Sequence, residues 1–213
     1  KLRLVQIGDA MTGWAIPFDL WGGVALEALT KYEGDFVYHN VAFDSRFLSR
    51  QLGWDTPWHR THDTMIAAHI IDPTQSVALK NLSVRLVDRR ANAGEQLLKK
   101  AFSDNKWTWA TVPIDYPAYW SYGALDTVLT ARLHETLRAH ERYPAVYDLE
   151  MATRRICTRM EENGSPVDLE YCQTTLDRRS DYVDKIKDWG RENFGVSLGS
   201  SSQTAQKLIE MGA

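Results

Sequence analysis

The sequence predicts an α/β domain followed by an all-helical segment. Three observations carry that reading. Short apolar runs with strand character lie between residues 2 and 39. Helical stretches bounded by caps and breakers follow them, and the composition changes at Pro144, beyond which the pattern is helical.

The 213 residues suffice for one large domain, or for one domain and part of another. An apolar fraction of 44% supports a real core, and the balance of 25 basic against 28 acidic side chains rules out a charge-driven disordered chain. The same balance, net −3, argues against a protein that holds duplex DNA through phosphates alone. Any nucleic-acid binding must be local or must use metal ions. No apolar run approaches the ~20 residues of a membrane span, and the first residues read as a strand, not a signal peptide. Cys157 and Cys172 cannot form a disulfide framework, and no Cys-x-x-Cys or His/Cys spacing suggests zinc. The expectation is a soluble, intracellular protein.

In order, residues 2–8 alternate as a strand, 9–13 turn, and 14–18 form a second strand, giving a hairpin. Gly22 and Gly23 open a helix at about 24–32, and Gly34-Asp35 turns the chain into a buried strand, Phe36 to His39. A helix carrying Phe47 and Leu48 follows. Asp63 is placed to cap a helix from Thr64 to Ile71, which Pro73 ends. Further helices are expected over 79–86, about 94–102, and from Pro117 to about Ala139, with Pro117 suited to the first turn. After Pro144, Leu149, Ala152, Ile156 and Met160 mark one helical stripe, stopped by Asn163-Gly164. Asp168 caps a helix to Phe194 with Leu169, Cys172, Leu176, Val183 and Ile186 on one side, and Ser201 or Ser202 caps the last, ending at Gly212. The domain boundary falls at 141–147, giving residues 1–143 and 144–213.

Two short segments carry candidate chemistry. Asn40-Val41-Ala42-Phe43-Asp44 sits at the end of a buried strand, where a carboxylate can hold a divalent cation; the alternative is an Asp that merely caps the next helix. Tyr122 and Asp126, four residues apart, share one face of the long helix, with Gly123 between them. Both Gly and Asp are poor helix-interior residues, so that turn suits a close backbone approach; the alternative is a solvent-facing Asp below a half-buried Tyr. Taken together the segments suggest two-metal phosphodiester hydrolysis, which needs several carboxylates drawn from separate motifs.

Asn40-x-x-Phe43-Asp44 resembles the second motif, and Tyr122-x-x-x-Asp126 the third, of the tyrosine subclass of DEDD proofreading exonucleases. The run His62-Asp63-Thr64-Met65 is similar to the same region of family A DNA polymerases. Arg155 to Asp168 is similar to their exonuclease-to-thumb connection, and the run from Ser200 to Leu208 looks like the thumb, so the likeness covers nearly the whole chain.

The resemblance implies a ribonuclease H-like mixed sheet with flanking helices, then a helical thumb segment. It implies two Mg²⁺ ions, for which Mn²⁺ can substitute, held by Asp44 and Asp126. Tyr122 would orient the attacking water, and Asn40 and Phe43 would contact substrate. Arg154, Arg155 and Arg159 would touch duplex backbone, with a solvated role as the alternative. The partners implied are a single-stranded DNA 3′ end and a primer–template duplex, in the cytoplasm of a bacterium or a phage-infected host. Phe43 and Trp54 are also candidates for core packing. His39 is expected to be a hydrogen-bonded core residue, His134 to be solvated, and Lys80 to lie on a solvated or DNA-steering basic face with Arg85, Arg89 and Arg90.

The chain departs from the family in one respect. No Asp-x-Glu pair precedes Asn40, where the family's first strand carries it. Asp148-Leu149-Glu150 and Asp168-Leu169-Glu170 follow the third motif and open helices, so they read as caps. The expectation is that this strand lies upstream of Lys1 and that the palm and fingers lie downstream of Ala213, leaving the fragment itself inactive. Two other functions stay open: a ribonuclease D-like RNA 3′-exonuclease, and an exonuclease-fold DNA-binding domain with a dead site.

Overall fold

Strands β1 (Leu4–Gly8) and β2 (Gly13–Pro17) form the expected antiparallel hairpin, with Leu4 opposite Pro17 and Gly8 opposite Gly13. Asp9 closes its turn, the carboxylate accepting from the Met11 and Thr12 amides at 2.7 Å each. The computed structural model describes residues 2–212. Helix α1 (Phe18–Lys31) begins earlier than the Gly22-Gly23 pair suggests, with a kink at Trp21.

Strand β3 (Phe36–Tyr38), helix α2 (Val41–Leu52) and strand β4 (Thr61–Asp63) make a β-α-β unit whose strands pair in parallel, Tyr38 opposite Asp63. Three residues are too few for alternation to show, so β4 has no sequence signature. Helices α3 (Thr64–Ile71) and α4 (Leu79–Leu86) match their expected bounds, and α5 (Ala93–Asn105) runs slightly longer than expected. Helix α6 (Pro117–Leu137) starts on Pro117 and ends at Arg138, which adopts a left-handed conformation (φ 49°) and leads into the single turn α7 (Ala139–Arg142).

The two ladders are separate two-stranded sheets among the described residues, and β1, β2 and β3 all pack against α6. Gly13 permits that packing, because a Cβ there would collide with the Ala124 carbonyl of α6. One core joins Ile66, Leu82, Leu133 and Leu137, and a second joins Leu4, Leu98, Val112 and Tyr119.

Helix α8 (Pro144–Asn163) belongs to the first of two compact units, residues 1–163 and 164–213. Its buried side is Tyr147, Met151 and Thr158, whereas Leu149, Ile156 and Met160 of the expected stripe are exposed. A count of apolar residues misplaces that face because its innermost ring is a tyrosine, whose hydroxyl accepts the Asp63 amide at 2.9 Å. The second unit contains α9 (Leu169–Phe194), capped by Asp168 as expected, and α10 (Ser201–Glu210). Ser200, not Ser201 or Ser202, caps α10. Leu169, Leu176, Val183 and Ile186 are exposed on α9. Among the described residues no helix is long and apolar enough to cross a membrane.

Candidate active site

Asp63 organises one half of the site. It is fully buried, and its carboxylate accepts from the amides of Asn40 (3.1 Å) and Val41 (2.8 Å) at the start of α2. It also accepts from Met65 (2.8 Å) and Ile66 (3.4 Å) at the start of α3. One carboxylate therefore satisfies free amides of two helices, which is what a buried helix start requires. Asn40 reaches this junction with a left-handed backbone (φ 73°) and makes no side-chain cap bond. The sequence predicts Asp63 as a cap for α3 only; its hold on α2 follows from the parallel β3–β4 register.

Asp44 lies in the first turn of α2. Burial pushes its carboxyl up to about 7, the Asp63 charge pushes the same way, and the first-turn backbone amide opposes both. Burial and the Asp44 charge likewise raise the Tyr38 hydroxyl above its ordinary value. Among the described residues no Lys, Arg or His pairs with Asp44. Phe43 is 53% exposed, with its ring 5.0 Å from that of Phe47, so the core-packing alternative fails there. It holds for Trp54, which is buried with its ring 5.1 Å from Phe36. His39 is hydrogen-bonded as expected, Nδ1 lying 2.9 Å from the Thr64 hydroxyl.

Tyr122 and Asp126 form the other half, one turn apart on α6 and close enough for the Asp126 charge to raise the Tyr122 hydroxyl. Lys80 completes it from α4, with its ammonium on the Asp126 carboxylate and 4.6 Å from the Tyr122 ring centroid. Burial raises the Asp126 carboxyl, and Lys80 and Tyr122 pull against that rise. Burial raises the Tyr122 hydroxyl, followed by the charges of Asp126 and Glu95, so it stays a neutral phenol. Gly123 provides the close approach expected at this turn: a Cβ there would stand 2.6 Å from the Gln6 side-chain nitrogen of β1. Lys80 is buried, which corrects its placement on a solvated basic face. Asp44 and Asp126 share no hydrogen-bond or ion-pair partner among the described residues.

Arg155 and Arg159 are exposed on α8 and line a cleft of about 700 Å³ with His62, His140, Tyr147 and Asp148. Arg154, half-buried, is not part of that wall. His134 is not solvated: its ring lies 4.7 Å from His62 and 4.8 Å from His140 between centroids. Burial and the other two imidazoles push His134 down to about 4, and burial and His140 lower His62. Neither the Lys80 contact nor this histidine group has a sequence signal, since each joins residues from elements far apart in the chain.

The sequence profile of the 3′-5′ exonuclease family matches residues 1–142. The chain belongs to the 3′-5′ exonuclease family of family A DNA polymerases. It is similar to the DNA polymerase of Mycobacterium phage L5, 27% identical over 100% of this chain and 39% of the relative. It is also similar to DNA polymerase I of Borreliella burgdorferi, 25% identical over 93% of this chain and 22% of the relative. DNA polymerase I of Aquifex aeolicus is 28% identical over 80% of this chain and 31% of the relative. The chain thus spans less than two-fifths of the length of these relatives.

Proposed function

We propose that this chain is the proofreading part of a DNA polymerase, removing 3′-terminal nucleotides from DNA by metal-assisted hydrolysis. The observation that carries the reading is the Tyr122–Asp126 pair on α6, in a chain that belongs to the 3′-5′ exonuclease family. The substrate is a single-stranded DNA 3′ end, and the location is the bacterial or phage-infected cytoplasm. A ribonuclease H-like sheet is part of this reading: a strand paired with both β1 and β3 would join the two ladders that share α6.

The donor set fits a hard divalent cation. Asp44 is a carboxyl held up by burial beside a second carboxylate and lacks a cationic partner among the described residues, and Asp126 offers further oxygens. Asp44 and Asp126 would hold Mg²⁺ or Mn²⁺, which when bound acidifies water and offsets charge on a leaving oxygen. Tyr122 acts as a hydrogen-bonding phenol that orients water, since its raised pKa keeps its proton on. Lys80 favours the ionised form of Asp126. The exposed Phe43 ring offers a stacking face to the terminal base, and the side-chain amide of Asn40, which makes no cap bond, would donate to the sugar or phosphate.

Residues 144–213 begin the thumb in this reading, with Arg155 and Arg159, and Arg154 beside them, against the duplex backbone. In the polymerase that carries this chain, Asp44→Ala should abolish excision of a mismatched 3′ nucleotide and leave primer extension nearly intact. Loss of both activities together, or preferential digestion of an RNA oligonucleotide by the wild type, overturns the assignment.

A further inference from the structure

We propose that His62, His134 and His140 form a binding site for a divalent transition-metal ion, Zn²⁺ being the best fit, separate from the carboxylate site. The three side chains come from β4, α6 and α7, and their candidate ligand nitrogens all lie within 4.8 Å of one another. They are the one group of three or more His, Cys or carboxylate ligands so placed among the described residues.

Three imidazoles favour zinc, copper or nickel over magnesium, which takes oxygen ligands. Around a tetrahedral Zn²⁺ with bonds of ~2.0–2.1 Å, ligand nitrogens stand roughly 3.4 Å apart. The His134 and His140 rings stack at 6° between planes, so binding requires them to turn until both in-plane lone pairs face the ion. All three rings are half-buried, and His62 and His140 open on the cleft that Asp35 and Asp148 also line. A fourth ligand, water or carboxylate, has access from that side. Asp35 lies 3.9 Å from His62 Nε2 and supplies negative charge near a cation that the neutral imidazoles do not offset. The Tyr147 hydroxyl lies 3.4 Å from His62 Nδ1, the kind of outer contact that fixes a ligating ring.

The ion would tie β4 to the end of α6. Asp63, the next residue after His62, holds the starts of α2 and α3, while His134 lies two turns beyond Asp126 on α6. The site therefore ties together the elements that carry the two halves of the candidate active site. It does not depend on the exonuclease reading.

The test is titration of ZnCl₂ into the tag-free, EDTA-treated chain in the presence of excess Mg²⁺, read by calorimetry and by thermal melting. One Zn²⁺ per chain and a higher Tm with zinc are expected. H134Q and H140Q should each weaken binding by at least about tenfold. A double H59Q/H69Q variant, which removes two exposed histidines, should bind as the wild type does. Co²⁺ should give the intense visible absorption of a four-coordinate ion in the wild type. Should H134Q or H140Q lose its far-UV CD spectrum, this Co²⁺ readout on the wild type decides. Absence of stoichiometric binding, binding that survives H134Q, loss of binding in H59Q/H69Q, or a featureless Co²⁺ spectrum overturns the proposal.

Discussion

Lys80 hydrogen-bonds the Asp126 carboxylate while standing 4.6 Å from the centroid of the Tyr122 ring. The contact spans 46 residues of sequence and puts a buried cation against the candidate Tyr122–Asp126 pair. Its partners are both largely removed from water, so neither charge is tolerable alone.

Replacing Lys80 with Met should therefore be strongly destabilising. Breaking a buried pair from one side typically costs about 3–5 kcal/mol, and the residual exposure here puts the expectation at the lower end. Adding Asp126→Asn to Lys80→Met should recover much of the loss, because no charge is then left unpaired. Urea unfolding of the two single variants and the double variant measures both effects. Additive losses would remove the pairing from the account of this site.

Asp44 predicts a pH dependence. Its carboxyl titrates near ~3.9 in the unfolded chain and at about 7 in the folded one. Between those values the folded protein keeps a proton that the unfolded chain has lost. Stability from this group is therefore complete below about pH 4 and is lost as pH rises through 7. In EDTA, Asp44→Asn should melt at the wild-type temperature near pH 4 and several degrees higher at pH 8. Equal melting temperatures at pH 8 would mean that Asp44 is ionised at no cost.

Much of the scaffold was legible in the sequence because its signals are local. Pro117 at the first turn of α6, Asp63 ahead of Thr64 and Asp168 ahead of Leu169 each fix a helix start within a few residues. The placement of Tyr122 and Asp126 one turn apart on α6 was legible for the same reason. Features made by distant segments were not. Lys80 meets Asp126 only once α4 packs on α6, and His134 meets His62 only once α6 packs beside β4. Strand β4 owes its existence to pairing with β3, not to its own three residues. The buried face of α8 was hidden by Tyr147 and Thr158, whose polar atoms are satisfied internally while apolar Leu149 and Ile156 face outward.

Asp63→Ala should be among the most damaging single substitutions in the first unit. It removes four acceptor contacts and leaves amides of α2 and α3 without partners at once. One lost cap costs up to about 2 kcal/mol, so two are expected to cost about 3 kcal/mol or more. Chemical denaturation gives the total. Hydrogen exchange locates it, with protection falling at the starts of both helices. Protection lost at α3 alone would reduce Asp63 to an ordinary cap.

Phe43 and Trp54 separate binding from packing. Both are large aromatics near the ends of α2, but Phe43 is 53% exposed and Trp54 is 8% exposed. Phe43→Ala should therefore change unfolding stability by no more than about 0.5 kcal/mol, as is usual for an exposed side chain. Its affinity for a single-stranded DNA oligonucleotide should nevertheless fall about 5- to 160-fold, since one stacked base contributes ~1–3 kcal/mol. Trp54→Ala should do the opposite. It opens a cavity beside Phe36 and is expected to cost about 3–5 kcal/mol of stability. Its DNA affinity, measured where the variant remains folded, should be nearly unchanged. Urea melts and fluorescence anisotropy of a labelled oligonucleotide supply the two axes. If Phe43→Ala binds DNA as tightly as the wild type, the Phe43 ring has no part in holding the 3′ end.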